Sequence, residues 1–275
     1  MNREKIFQQI KTKESFLCIG LDSDYQKIPS HLRNKKEAVF EFNKEIIEQT
    51  HDTCVAYKIN TAFYEAMGSK GWEILEKTAA YIKKKYPEIF LIADAKRGDI
   101  GNTAKMYAKS FFENMDFDAI TVSPYMGSDS IHPFLEYNDK WVIILGLTSN
   151  QGASDFQYFY SDKQNQTLYE KVISTSCKWG SYDNTMFVAG ATKAQEIKEI
   201  RKMIPYHFLL VPGIGSQGGS LEQVAEFGLN KKCGLIVNSS RSIIFSDHSE
   251  NFATSARKKA IEIKESMKII LDKSL

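Results

Sequence analysis

At 275 residues the chain is long for one average domain but suits an α/β barrel of roughly 250 residues. Hydrophobic residues make up 43% and charged residues 25%, which excludes intrinsic disorder and coiled coil. Lys and Arg number 36 against 34 Asp and Glu, a net charge of +2; this argues against an electrostatic binder of nucleic acid or membrane, and leaves room for a local anion site.

The chain opens on a polar, helix-forming stretch (1–15) without the apolar centre of a signal peptide. Eight short apolar, β-branched runs follow, at 16–22, 54–60, 90–96, 119–124, 141–148, 185–191, 207–213 and 235–240. Polar segments lie between them, with helical periodicity over 36–49, 72–85 and 194–204, and a last helix is expected near 250–272. Runs apolar on both faces belong to parallel strands covered by helices. Eight β-then-α units predict a closed (β/α)₈ TIM barrel occupying 1–275 as one domain; an open doubly wound sheet is the rival architecture. Residues 151–167 form the longest irregular segment, a candidate lid or binding loop. Its aromatics Phe156, Tyr158, Phe159 and Tyr160 read as packing residues.

No run is long enough to span a bilayer. Cys18, Cys54, Cys177 and Cys233 form no Cys-x-x-Cys pair, which points to a reducing, cytoplasmic location, and the five histidines include no metal-spaced pair. Lys83–Lys85 and Arg257–Lys259 read as solvated helix faces.

In such barrels the chemistry collects at the carboxyl ends of the strands. Asp22 ends the first run, Lys58 and Asn60 the second, Asp94 and Lys96 the third, with Asp99 just beyond. Side chains alternate along a strand, so Asp94 and Lys96 share a face. A strand-end ion pair plus a helix-capping Asp99 is the plain reading. A second lysine, Lys58, from the neighbouring strand suggests instead a device for a charged transition state. The seventh run leads into Val211-Pro-Gly-Ile-Gly-Ser-Gln-Gly-Gly219 and the eighth into Asn238-Ser-Ser-Arg241. Loops at these two places commonly hold phosphate. The backbone N–H groups of Gly215, Gly218 and Gly219, with Ser240 and Arg241 opposite, fit an anion.

Lys58 together with DAKRGD, and the phrases GLDSD, DAKRGDIGNTA, VPGIGSQGG and NSSRSI, resemble the orotidine 5′-monophosphate decarboxylase family, most closely its longer bacterial branch. The resemblance runs from the first strand to the eighth. It implies decarboxylation of orotidine 5′-monophosphate (OMP) to UMP and CO₂ without metal or cofactor, as the last step of de novo pyrimidine synthesis. Lys96 would donate a proton to C6 of the pyrimidine, and Lys58, Asp94 and Asp99 would complete the network. Asp99 and Thr103 would reach the neighbouring subunit's site across a homodimer. Asp22 and Asn60 would contact the ribose or nucleotide, Ser149 and Asn150 the pyrimidine, and Gln217 and Arg241 the 5′-phosphate. A metal-dependent sugar-phosphate enzyme of the same barrel is one rival, disfavoured by Lys58 standing where such relatives carry a carboxylate ligand. A nucleotide-binding barrel without catalysis is the other.

Overall fold

The structure is a computed structural model that describes residues 1–191, 194–214 and 219–274. Eight parallel strands close into a barrel: β1 (Leu17–Gly20), β2 (Ala56–Asn60), β3 (Phe90–Arg97), β4 (Ala119–Val122), β5 (Trp141–Leu147), β8 (Thr185–Ala189), β9 (Phe208–Pro212) and β10 (Leu235–Ser239). Seven of the eight apolar runs contain one of them whole, and β3 extends one residue past the third run, to Arg97. β1 pairs with both β2 and β10, which closes the sheet and rules out the open alternative. β6 (Tyr160–Ser161) and β7 (Gln166–Thr167) form a separate antiparallel ribbon.

The strands are buried along nearly their whole length because helices cover them outside and side chains fill the inside. The anticipated helices are Ala38–Thr50, Ser69–Lys85, Ala194–Met203 and Phe252–Ser274. Between β4 and β5 the helical layer shrinks to His132–Leu135 behind a short turn at Ser128–Ser130.

Three readings of the sequence need correction. Residues 151–167 are ordered locally as a 3₁₀ turn over Gln151–Asp155 and the β6–β7 ribbon. Thr167 then caps the helix Leu168–Ser176 in a reciprocal box with Glu170. Of the four aromatics there, Tyr158 packs on Tyr169 at 5.7 Å, whereas Phe156 and Phe159 are 72% and 70% exposed and Tyr160 is also exposed. In the two basic runs Lys84, Lys85, Lys258 and Lys259 are exposed as expected, but Lys83 and Arg257 are partly buried and paired. Lys83 Nζ lies 3.0 Å from the buried Asp118 carboxylate, and Arg257 makes a forked contact to Asp52 at 2.6 and 2.7 Å.

Candidate active site

The carboxyl ends of the strands open into a cavity of about 410 Å³. Lys58 sits one residue pair below the end of β2. The register that sets Asn60 beside Asp94 brings its ammonium to the β3 carboxylate. Lys58 Nζ donates to Asp94 Oδ2 at 3.0 Å and to Asp22 Oδ1 at 3.3 Å, and Lys96 Nζ donates to Asp94 Oδ1 at 2.6 Å. Asp22, Lys58, Asp94 and Lys96 thus form one chain of alternating charge, all four lining the cavity.

Burial works against ionisation of both inner members. For Lys58 the neighbouring Asp22 and Asp94 outweigh it and raise the ammonium pKa above its usual value. Burial likewise pushes Asp94 up, but Lys58 and Lys96 prevail and hold its carboxyl well below the usual carboxylate range. Both remain charged at neutral pH with little water around them.

Lys96 is the exposed end of this chain, with 49% of its side chain accessible. Its backbone has φ +46°, in the left-handed region that residues with a β-carbon seldom enter. Its N–H donates to Thr121 Oγ1 at 2.9 Å. Asp22 lies just past β1 on a loop tied down from behind. Ser23 Oγ donates to Asn43 Oδ1 at 2.6 Å, Asn43 Nδ2 donates to Tyr64 Oη at 2.9 Å, and Tyr64 Oη donates to the Leu21 carbonyl at 3.1 Å. These buried polar groups satisfy one another, which fixes the loop.

Arg241 begins the short helix Arg241–Ile244 after β10 and lines the cavity with Ser240. Ser240 Oγ donates to the Gly20 carbonyl at 2.9 Å, and a β-carbon on Gly20 would stand 2.8 Å from Ser240 Cβ, so only glycine lets β1 and this loop approach. On the opposite side Gly219 N–H reaches the Gly213 carbonyl at 3.3 Å. Gly215, Gln217 and Gly218 lie outside the described residues.

Asn60, Ser149 and Asn150 also line the cavity, as anticipated. Gln157, within the segment after β5, accepts from Thr148 N–H at 2.9 Å and donates to Thr148 Oγ1 at 2.7 Å; Thr148 Oγ1 donates to Asn150 Oδ1 at 2.6 Å. That chain sets the position of Asn150. The cavity does not include Asp99 or Thr103. The Asp99 carboxylate accepts the N–H of Ile100 at 2.8 Å, and Ile100, not Asp99, occupies the cap position of the helix Gly101–Lys109. Thr103 is exposed on that helix.

Several lining residues went unnoticed in the sequence. Leu145, Val188, Leu210 and Ile214 supply an apolar wall suited to a flat ring. In sequence they are indistinguishable from core residues. Asn238 is buried on β10, and its Oδ1 has no hydrogen-bond partner among the described residues. A polar side chain inside an otherwise apolar strand was the available signal. Among the described residues no group of three or more His, Cys, Asp or Glu is placed to hold a metal ion. No helix among them is long and apolar enough to cross a membrane.

Residues 15–256 match the model of the orotidine 5′-phosphate decarboxylase / HUMPS family. An orotidine 5′-phosphate decarboxylase of Bacteroides fragilis is 56% identical over 267 residues, 97% of each chain. One from Christiangramia forsetii is 55% identical over 274 residues, covering 99% of this chain and 100% of that one. The solved UMP synthase of Leishmania donovani superposes with a TM-score of 0.84 at 37% identity; the match covers 97% of this chain and 56% of that one.

Proposed function

This chain belongs to the orotidine 5′-phosphate decarboxylase / HUMPS family, and we propose that within its reaction Lys96 is the proton donor and Lys58, Asp94 and Asp99 its electrostatic frame. The protein is a carboxy-lyase of pyrimidine biosynthesis that converts OMP to UMP and CO₂. The observation that supports the residue roles is the unbroken Asp22–Lys58–Asp94–Lys96 chain along the same cavity as Arg241.

When the C6–carboxylate bond breaks, its electron pair stays on C6, in the plane of the ring and outside the π-system. No neighbouring group can delocalise it, so stabilisation must be electrostatic. The Lys96 ammonium, held at the cavity wall by Asp94, stands ready to meet that charge and then transfer its proton to C6, completing UMP. The ionised Asp94 beside the departing carboxylate also raises the energy of the bound substrate relative to the carbanion. Lys58 stays an ammonium between Asp22 and Asp94 and keeps the latter charged.

Arg241 grips the 5′-phosphate, with Gln217 and the glycines of 215–219 completing the anion site. Ser149 and Asn150 read the pyrimidine, and Asp22 and Asn60 contact the sugar side. Remote phosphate binding energy then serves the chemical step by holding the ring against Lys96.

Asp99 and Thr103 act in the site of a second copy. Supporting this, Asp99 makes no ion pair to either lysine of its own cavity among the described residues. Exposed apolar side chains flank it: Ile100 and Met106 on one segment, Tyr125 and Met126 on the next loop, Tyr125 being 92% exposed. The chain works as a single barrel domain in a homodimer. The four cysteines are free, three of them buried, which suits a cytoplasmic location. The function test is direct: purified protein is mixed with OMP, with and without EDTA, and orotate absorbance is followed. An equal loss with chelator present supports the metal-free reading; a loss abolished by chelator and restored by a divalent cation overturns it.

A further inference from the structure

We propose that Thr121, which does not line the cavity, is a positioning residue whose hydroxyl sets both the backbone and the ammonium of Lys96. This rests on the reading of Lys96 as proton donor.

The argument begins in the register between β3 and β4. Ala93 pairs with Ile120 and Arg97 pairs with Val122. Residues 94, 95 and 96 therefore face Thr121 alone, and the surplus lifts β3 off the ladder. Irregular steps of this kind re-aim a side chain. Here the result is the left-handed backbone of Lys96, which persists only where its surroundings enforce it.

Lifted off the ladder, the Lys96 N–H donates to Thr121 Oγ1, at 2.9 Å, instead of a strand carbonyl. The same hydroxyl has one proton of its own, and it donates that to Asp94 Oδ1 at 3.0 Å. Asp94 Oδ1 is also the oxygen that receives Lys96 Nζ. One oxygen atom is thus acceptor from the main chain of Lys96 and donor to the carboxylate that orients its side chain. Both directions are satisfied with no proton to spare, so the ring Lys96 N–H, Thr121 hydroxyl, Asp94 carboxylate, Lys96 ammonium has one consistent arrangement. Thr121 is 1% exposed, so bulk water does not compete for either of its hydrogen bonds. The Lys96 side chain, half exposed and with Asp94 as its ion-pair partner, depends on that anchor for its aim.

Packing alone would also place a threonine in a barrel strand, so the test separates hydroxyl from methyl. Thr121→Ser and Thr121→Ala both lose the methyl and differ only in the hydroxyl; Thr121→Val keeps the shape and loses the hydroxyl. We expect Thr121→Ser to hold kcat within about threefold of the parent, and Thr121→Ala and Thr121→Val to lose on the order of 10- to 100-fold, the scale of a misplaced catalytic group. UMP has no carboxylate and leaves the proton-transfer step untested, so its Kd should move by less than about threefold in all of them. Equal kcat in the serine and alanine variants overturns the proposal, as does a fall in UMP affinity that tracks the fall in kcat. An alanine chain that fails to fold where the serine chain folds also overturns it, because the hydroxyl would then serve the fold alone. Lys96→Ala in the same assay keeps the two readings apart. Turnover surviving in Lys96→Ala removes the premise; an inactive Lys96→Ala beside a normal Thr121→Ala removes only the role of Thr121.

Discussion

Lys58 and Asp94 stand on neighbouring strands with Nζ and Oδ2 3.0 Å apart, both buried and both ionised. Such a pair is held by its partners rather than by water, so removing Asp94 leaves the buried Lys58 with Asp22 alone, 3.3 Å away, and takes from Lys96 its ion-pair partner among the described residues. Asp94→Asn should therefore lower the stability of the free protein by ~3 kcal/mol, and adding Lys58→Met should recover part of that. Urea midpoints of the single and double variants decide it. A single variant as stable as the parent would show that the pair is solvated.

Arg241 is exposed and lines the cavity, so a phosphate bound there would draw its guanidinium further out of water. Arg241→Ala should weaken UMP by ~2 kcal/mol, the lower end for a charged partner lost from a desolvated pair, while uridine binding changes little. Calorimetric titration with both ligands distinguishes the cases, since an equal loss for uridine would remove Arg241 from the phosphate.

Asn238 leaves a buried acceptor without a partner among the described residues, a penalty of ~1–3 kcal/mol where nothing else meets it. Asn238→Val should raise the thermal midpoint of the free protein and weaken UMP binding. Lower stability with unchanged affinity would show that Asn238 serves the barrel and not the ligand.

His207 lies just before β9 against Phe187 and Tyr182, ring centroids 5.5 and 6.4 Å away, with neither ring nitrogen hydrogen-bonded among the described residues. Burial, then the positive Arg201 and Arg3, lower its pKa to about 4. The unfolded chain, near the ordinary value of about 6.5, takes up a proton that the folded protein refuses, so stability falls as pH drops from about 6.5 toward 4. At pH 5 this amounts to about 2 kcal/mol. Thermal midpoints at pH 7.5 and 5 should converge in His207→Phe relative to the parent. An unchanged difference would mean that other groups carry the acid sensitivity.

Shared sites predict complementation. Lys96→Ala and Asp99→Ala are each expected to be inactive alone, yet mixed dimers contain one site with both side chains intact. Up to about a quarter of the parent activity should return on subunit exchange, as expected of a two-fold interface that presents the same patch twice. No recovery in heterodimers confirmed by mass would place Asp99 outside the neighbouring site.

The barrel was legible because its signals are local. Eight runs apolar on both faces and the helical period between them need only the chain's own sequence, and so does the order of Asp22, Lys58, Asp94, Lys96 and Arg241 at the strand ends. What only the folded chain decided is which charges meet. Lys58 reaches Asp94 through the pairing of Asn60 with Asp94, and Lys96 turns back on Asp94 because β3 carries surplus residues opposite Thr121. Thr121 in AITV looked like an ordinary strand residue, and Asn238 in LIVNS stood out only as polar, until β3 and the cavity closed around them. Alternation along a strand tells which residues share a face. Register and bulge are set by hydrogen bonds between segments far apart in sequence, and they leave no periodic trace in either one.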